Sequence, residues 1–473
     1  MNDITAFFAF LKYCLGYKEN MSRVIAGMNW HELYSFASKQ ALLGLCFEGI
    51  ERLGEEYPEE LKRNPIGREL LMTWMGKAQQ IHRQNMKVNS VAGKLFSMLR
   101  EDGMRCCVLK GQGNALMYPN PYSRTPGDVD VWIEASRERI LEYAQKKFEL
   151  GDDIRLQHLE TSLDGVPVEL HFFPCSMNNP IYHARLQKWF RRNADLQCSH
   201  IVGLPDGAGD IAIPTTAFNV VYQLTHLYHH FFDEGIGMRQ IIDYFLVVND
   251  FSKNVFLNND LSNHPVNFSN HPVPLSKEGS TFSLSPSSSG SGDVTAPSRC
   301  SEPLRSKDGG PSKVSPDCAG WDRLDAIGAS KVSPDCAGWD RLAIEGDNSA
   351  TAVTSSASTA LVVVQRELKY LGLWKFAGAV MYVLHKALGL SEEKMIAPMD
   401  EKRGKLLLAE ILNGGNFGKH FTKYGHFTQQ GMAKKYFLKI WRNMHFVRYF
   451  PAEALSEPIF RTWHFFWRLK HRR

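Results

Sequence analysis

The spacing of apolar positions changes along the chain and divides it into segments of different kinds. Residues 1–100 carry apolar side chains at three- and four-residue intervals, which is the pattern of helices that bury one face. Between residues 101 and 212, short apolar runs alternate with turn-forming stretches and helical patterns. Helical spacing returns over 213–249 and over 359–473. The pattern predicts a mixed segment with helical regions before and after it.

The mixed segment at 101–212 has the order strand, helix, strand, helix, strand, strand. The runs "RCCVL" and "DVDVWI" predict the first two strands, and "KGQGNALMY" and "SRERILEYAQKKF" predict the helices. Ser136 is a candidate N-cap of the second helix. The runs "IRLQHLE" and "VPVELHF" alternate around "TSLDG", which is typical of a hairpin. This order predicts an α+β fold.

Residues 250–358 are rich in Ser, Pro and Gly and carry few large apolar side chains, so little surface is available to offset chain entropy. The stretch "SKVSPDCAGWDRL" occurs at 312–324 and again at 330–342, and "SNHPV" also occurs twice. Two copies are too few for a solenoid. We interpret the segment as a disordered insertion. The alternative is a short linear motif centred on Trp321 and Trp339.

The composition is that of a globular protein in a reducing compartment. Hydrophobic residues make up 44% of the 473 positions, and the net charge of +5 permits a nucleotide partner without demanding one. The nine cysteines include no CxxC pair, which argues against a disulfide framework and a zinc ribbon. There is no apolar run of membrane-spanning length, and the first residues lack the features of a signal peptide. We expect a cytoplasmic protein without stable membrane insertion.

Two aspartates interrupt the strand-like run "RTPGDVDVWIE". Because residues two apart in a strand point to the same side, Asp128 and Asp130 project together, while Val129 and Val131 face the core. Two carboxylates this close repel each other unless a cation lies between them. Mg²⁺ prefers oxygen ligands and commonly binds one or two carboxylates together with phosphate oxygens. The pair predicts a metal site, although a solvated edge strand would show the same pair.

Residues on either side of the two aspartates add phosphate-binding chemistry. Upstream, Lys110 and Arg124 supply cations. Gly111 and Gly113 allow a backbone to approach a phosphate closely, and the helix that starts there offers free N–H groups. Downstream, Glu169 lies inside a predicted strand. If that strand pairs beside the strand of the two aspartates, a cluster of three carboxylates results, suited to holding metals and to proton transfer.

In order and type, these motifs resemble the nucleotidyltransferase superfamily of DNA polymerase β. More narrowly, "LKGQGNALMYPNPYSRTPGDVDVWIE" is similar to an uncharacterised bacterial nucleotidyltransferase family, and its plan is related to that of abortive-infection toxin nucleotidyltransferases. The phrases "VELHF", "HLYHHFFDEGIGMRQIIDY", "LNGGNFG" and "YFPAEAL" look like the helical remainder of that family. One departure is the turn, which reads Lys110-Gly111-Gln112 where the superfamily usually has Gly-Ser.

The resemblance implies a polymerase β-like core and the transfer of a nucleoside monophosphate from a nucleoside triphosphate (NTP) to a hydroxyl or phosphate acceptor, with release of pyrophosphate. Two Mg²⁺ ions are the expected cofactors. The resemblance gives catalytic and metal-binding roles to Asp128, Asp130 and Glu169, and nucleotide contacts to Lys110, Gly111, Gly113 and Arg124. For Lys110 and Arg124, a structural salt bridge to the aspartates is an equal alternative. The acceptor, whether tRNA, a protein or a small molecule, is left open.

The histidines of "HLYHHFF" support a rival hypothesis. His226, His229 and His230 share one helical face, so they could bind a metal in a hydrolase or line an interhelical surface. A catalytically inactive nucleotide-binding or interaction module of the same fold is a further alternative. Arg239 and Asp243 are one helical turn apart and predict an intrahelical salt bridge, although Arg239 could equally reach into the nucleotide cleft.

Overall fold

The computed structural model describes residues 3–150, 155–257, 353–420 and 432–470, all of which belong to one unit made of Met1–Ser262 and Thr351–Arg473. The insertion predicted at 250–358 lies outside the described residues together with its repeats, except at its two ends. There a helix continues to Leu257 and another begins at Val353, so helical structure extends into the segment from both sides. Among the described residues, no helix is both long and apolar enough to cross a bilayer.

Helices fill the described part of the chain before the first strand, as the apolar spacing predicts. They are α1 (Asp3–Cys14), α2 (Ser22–Ala26), α3 (Trp30–Lys39), α4 (Leu43–Glu56), α5 (Pro58–Arg63) and α6 (Arg68–Glu101). The longest is α6, with 34 residues. Its apolar face, which includes Val88, Leu95 and Leu99, packs in one core with residues of the sheet. Helix α6 therefore forms the layer behind the sheet.

A four-stranded mixed sheet within the described residues confirms the predicted α+β class. Strands β1 (Cys106–Leu109), β2 (Val129–Ile133), β3 (His158–Leu163) and β4 (Val166–His171) lie in the order β1-β2-β4-β3. Strand β2 runs antiparallel to β1 and parallel to β4, and β3 and β4 form the predicted hairpin. A separate two-stranded sheet consists of β5 (Ile201–Gly203) and β6 (Asp210–Ala212). The apolar pattern did not predict this second sheet.

Helices α7 (Gly111–Ala115), α8 (Arg137–Lys147) and α9 (Pro180–Ser199) connect these strands. The Ser136 side chain accepts a hydrogen bond from the N–H of Arg139, which confirms it as the N-cap of α8. Strand β2 is buried on both faces: Val129 and Val131 pack toward α6, whereas Trp132 stacks on Phe218 on the other side. The sheet is thus a middle layer, and its second face meets the helices that follow it.

The helical layer on that second face contains α10 (Thr216–Asp233), α11 (Met238–Leu257), α12 (Val353–Tyr370), α13 (Trp374–Leu388), α14 (Glu401–Gly414), α15 (Met432–Met444) and α16 (Pro451–Lys470). Aromatic rings pack α10 against α13 and against the turn between α15 and α16. The ring centroid of Phe231 lies 5.8 Å from that of Phe376, 4.6 Å from Phe446 and 5.9 Å from Phe450. Helix α10 is therefore held between the sheet and the C-terminal helices.

The contact between α6 and the turn of the second sheet can be tested with two glycines of the same helix. A Cβ on Gly93 would overlap the carbonyl oxygen of Ala208, whereas a Cβ on Gly76 would meet nothing within 4 Å. We expect Gly93→Ala to lower the free energy of unfolding by about 1–3 kcal/mol, because the backbones must move apart. Gly76→Ala should raise it by about 0.5–1 kcal/mol through helix propensity. Urea denaturation measures both, and a gain at both positions would contradict the close approach.

Candidate active site

The parallel pairing of β2 with β4 brings the three predicted acids together. Asp130 and Glu169 are register partners, so their side chains leave the sheet on the same side. Asp128 lies just before β2, and ligand oxygens of the three carboxylates all lie within 4.8 Å of one another. Because the valines of β2 occupy the face toward α6, the acids face the helical layer and line a pocket there.

Like charges and one lysine set the electrostatics of this acid cluster. The neighbouring Asp130 carboxylate, together with burial, raises the pKa of Asp128 to about 6. Burial also opposes ionisation of Asp130, but the Lys110 amine at 3.1 Å and the His171 ring hold its pKa below the ordinary value. One aspartate is therefore held ionised while ionisation of the other is disfavoured. A bound cation would relieve this repulsion.

His171 is a site residue that the sequence analysis missed. Its Nε2 lies 3.0 Å from the Asp130 carboxylate and 3.1 Å from that of Glu169, while Gln157 Nε2 lies 3.3 Å from its Nδ1. Burial lowers the pKa of His171, but the two carboxylates outweigh this and raise it to about 9. The signal was present in "VELHF", because His171 follows Glu169 by two strand residues and so shares its face.

Lys110 and Gly111 form the sharp turn from β1 into α7. Both adopt positive φ, +53° and +38°, a conformation that strains a lysine backbone. A Cβ on Gly111 would meet only the Asp128 carbonyl oxygen, at 3.8 Å, so the turn is open beside the acids. The Lys110 amine lies 2.9 Å from Nε2 of His226 in addition to its contact with Asp130. The predicted lysine and glycine therefore border the acid cluster.

Gly113 and Arg124, the two other predicted nucleotide contacts, are engaged by other residues of the protein. Gly113 is buried and packs against Ile213, where an added Cβ would come within 3.0 Å, and it does not line the pocket. Arg124 lines the pocket, but its guanidinium forms two hydrogen bonds with Asp243, from Nε at 2.9 Å and from Nη2 at 2.8 Å. The Tyr118 hydroxyl donates to the same carboxylate at 2.7 Å. The salt bridge of Arg124 is thus made to Asp243 and not to the aspartates of β2.

The intrahelical pair predicted for Arg239 and Asp243 is wrong. Asp243 instead binds Arg124, which lies 119 residues away in the sequence. Arg239 donates from Nη1 to the carbonyl oxygen of Thr125 at 3.1 Å, and it forms no ion pair with any described residue. Helical spacing predicted Arg239 as the partner of Asp243. The partner in the structure is the buried side chain of Arg124, which belongs to a distant loop.

The pocket that these residues line has a volume of about 380 Å³. The sheet contributes the acids and His158, α10 contributes three histidines, and α11 contributes Arg239. The loop after α14 adds Phe417, whose φ of +54° is unusual for a bulky residue. This loop is the "LNGGNFG" break of the sequence, and it places an aromatic ring in the pocket wall.

The histidines of α10 contact Lys110 through His226. Nε2 of His226 lies 2.9 Å from the Lys110 amine and 3.0 Å from Nε2 of His230. Burial and the Lys110 charge lower the pKa of His226 well below its usual value, and burial with His229 lowers that of His230 to about 3. These rings are therefore neutral at physiological pH and can accept hydrogen bonds.

Two groups of side chains in the described residues place metal-ligating atoms within 4.8 Å of one another. One is the acid cluster of Asp128, Asp130 and Glu169, and the other combines His158, Glu169 and His171. The histidines of α10 form no such group among the described residues. The geometry thus favours a cation beside the acids over the histidine-based metal site of the hydrolase hypothesis.

Comparison with known proteins gives one family. The model of a family described as "uncharacterised nucleotidyltransferase" matches residues 26–262. No curated protein matches the chain. Among solved structures, the chain is similar to an antigenic nucleotidyltransferase-like protein from Paracoccidioides brasiliensis, with 16% identity over 34% of this chain and 75% of that chain. The TM-score of that superposition is 0.23, at which the similarity supports no conclusion about fold or function.

The buried pair of Arg124 and Asp243 predicts unequal costs for two substitutions. Asp243→Ala leaves the Arg124 charge without its partner, so we expect the free energy of unfolding to fall by about 3–5 kcal/mol. Tyr118→Phe removes one hydrogen bond to the same carboxylate, so we expect a loss of about 1 kcal/mol. Urea denaturation of both variants provides the comparison. Equal losses would mean that Arg124 does not depend on Asp243 for its charge compensation.

Proposed function

The chain belongs to the family of uncharacterised nucleotidyltransferases, and we propose that it transfers a nucleoside monophosphate from an NTP to a hydroxyl or phosphate acceptor, releasing pyrophosphate. The observation that supports this most directly is the acid cluster of Asp128, Asp130 and Glu169 beside the Lys110–Gly111 turn. Carboxylates and an open glycine turn on one pocket wall are what a metal-bound polyphosphate requires.

The acid cluster fits Mg²⁺ by its donor set. Asp128, Asp130 and Glu169 offer only oxygen ligands, and the raised pKa of Asp128 reflects repulsion that a divalent cation would cancel. Bound Mg²⁺, two ions in our proposal, would neutralise the triphosphate and favour ionisation of the attacking hydroxyl. The three carboxylates would hold these ions.

The side chains around the acid cluster would place charges and a proton acceptor beside the bound nucleotide. Lys110 supplies a cation at the acid cluster, and Gly111 leaves room for a phosphate beside the turn. His171 contacts Asp130 and Glu169 together and so fixes their orientation. Glu169 either helps to bind the cation or accepts the proton of the attacking hydroxyl. Catalysis of this kind depends mainly on positioning and on charge neutralisation.

Asp130→Asn tests the role of the acid cluster. Each α-labelled NTP is incubated with the protein, Mg²⁺ and a cell lysate, and transfer of label is measured. We expect the variant to lose at least about a hundredfold in transfer, because a metal ligand and the charge facing Lys110 are removed together. Sensitivity of the labelled product to RNase or protease then identifies the acceptor as tRNA-like, protein or small molecule.

Asp164→Asn is the matched control for this experiment. Asp164 lies in the turn between β3 and β4, half exposed, and pairs with Lys94 away from the pocket. It undergoes the same change from carboxylate to amide, so it should transfer label as the wild type does. Undiminished transfer by Asp130→Asn would show that the proposed mechanism is wrong.

A further inference from the structure

We propose that Arg239 binds a phosphate group of the nucleoside triphosphate, in the role that the sequence pattern gives to Arg124. This inference rests on the proposed function and adds a residue of α11 to the substrate site. The ligand class it requires is a polyphosphate that carries a divalent cation.

Arg239 is a buried cation without a matching anion. Its side chain lines the pocket, and the residue is only 8% exposed. The Nη1 group donates to the Thr125 carbonyl oxygen at 3.1 Å, and Nε has no hydrogen-bond partner. In the described ranges, no carboxylate forms an ion pair with this guanidinium. Donors of the side chain are therefore left for a ligand.

The carboxylate nearest in the same helix, that of Asp243, pairs with Arg124. Asp243 accepts from Nε and Nη2 of Arg124 and from the Tyr118 hydroxyl. Arg124 keeps Nη1 without a partner, but its charge is compensated by this bidentate contact. Asp243 therefore pairs with Arg124 and not with Arg239, and burial together with the Arg124 charge lowers the pKa of Arg239. An anion entering the pocket would supply the missing negative charge.

Phe417 orients the guanidinium. Its ring centroid lies 5.7 Å from Cζ of Arg239 and 5.4 Å from the ring centroid of His230. The left-handed backbone of Phe417 is flanked by Gly415 and Gly418, which also have positive φ. The cation–π contact and the hydrogen bond to the Thr125 carbonyl oxygen therefore both restrain the guanidinium. Phe417 lies beyond the residues that the family model matches.

The position of Arg239 also defines the ligand. Arg239 bonds to the backbone of Thr125, in the loop that leads to Asp128. The guanidinium is therefore close to the N-terminal end of β2. An isolated anion beside these acids would be repelled by them. A polyphosphate with its divalent cation would satisfy both groups, because the carboxylates would hold the cation and the arginine would bind a phosphate oxygen.

The test measures binding of inorganic tripolyphosphate with Mg²⁺ by calorimetry, which needs no transfer reaction. We expect Arg239→Gln to bind it about ten- to hundredfold more weakly than the wild type does, as expected for a lost charged hydrogen bond. Arg105→Gln is the control for net charge, because Arg105 is half exposed and pairs with Asp195 outside the pocket. It should bind as the wild type does. Arg239→Lys, which keeps the charge without the planar fork, should bind more weakly and replaces the glutamine variant if that variant does not fold.

A melting experiment separates binding from a structural role. Without ligand, Arg239→Met should melt at or above the wild-type temperature, because an uncompensated buried charge is removed. Arg124→Met should melt well below it, because Asp243 loses its partner. Unchanged tripolyphosphate affinity in Arg239→Gln, or a wild type that does not bind tripolyphosphate, would overturn the inference. Arg239-dependent binding in a protein that transfers no label would overturn the proposed function alone.

Discussion

The parallel pairing of β2 and β4 is the constraint on which the site depends. It fixes Asp130 and Glu169 as neighbours across two strands, and Asp128 joins them from the position just before β2. Such an arrangement of carboxylates is unfavourable unless opposite charges surround it. Lys110 and His171 supply part of that compensation within hydrogen-bond distance. The strained turn at Lys110 brings this amine within 3.1 Å of the Asp130 carboxylate.

Local patterns were sufficient to predict the sheet and the acids. The apolar runs of the strands, the hairpin around "TSLDG" and the Ser136 cap can all be recognised within windows of a few residues, and the structure contains each of them. Asp130 and Glu169 each lie in a run that was predicted to be a strand. The two acids were therefore expected to meet if these strands pair side by side. His171 follows Glu169 by two residues in β4, so the same two-residue period places it on the face of the acids.

Long-range partners could not be predicted in this way. Arg124 and Asp243 are 119 residues apart, and helical spacing offered Asp243 a nearer partner in Arg239. Gly113 has little room for a Cβ because Ile213, in the segment after the second sheet, packs against it. Strands β5 and β6 have three residues each, too few for an alternating pattern to be distinguished from a loop. Each of these features is decided by tertiary packing, which no short window of sequence contains.

Helices α11 and α12 flank the long segment 258–352, and they pack against each other. This contact joins α11 directly to the helices that follow it in the chain. The residues between Leu257 and Val353 are not needed to make it, because it is formed by α11 and α12 themselves. The backbone that carries Arg239 is therefore held by packing within the helical layer, and the duplicated stretch "SKVSPDCAGWDRL" lies outside the two helices that make the contact.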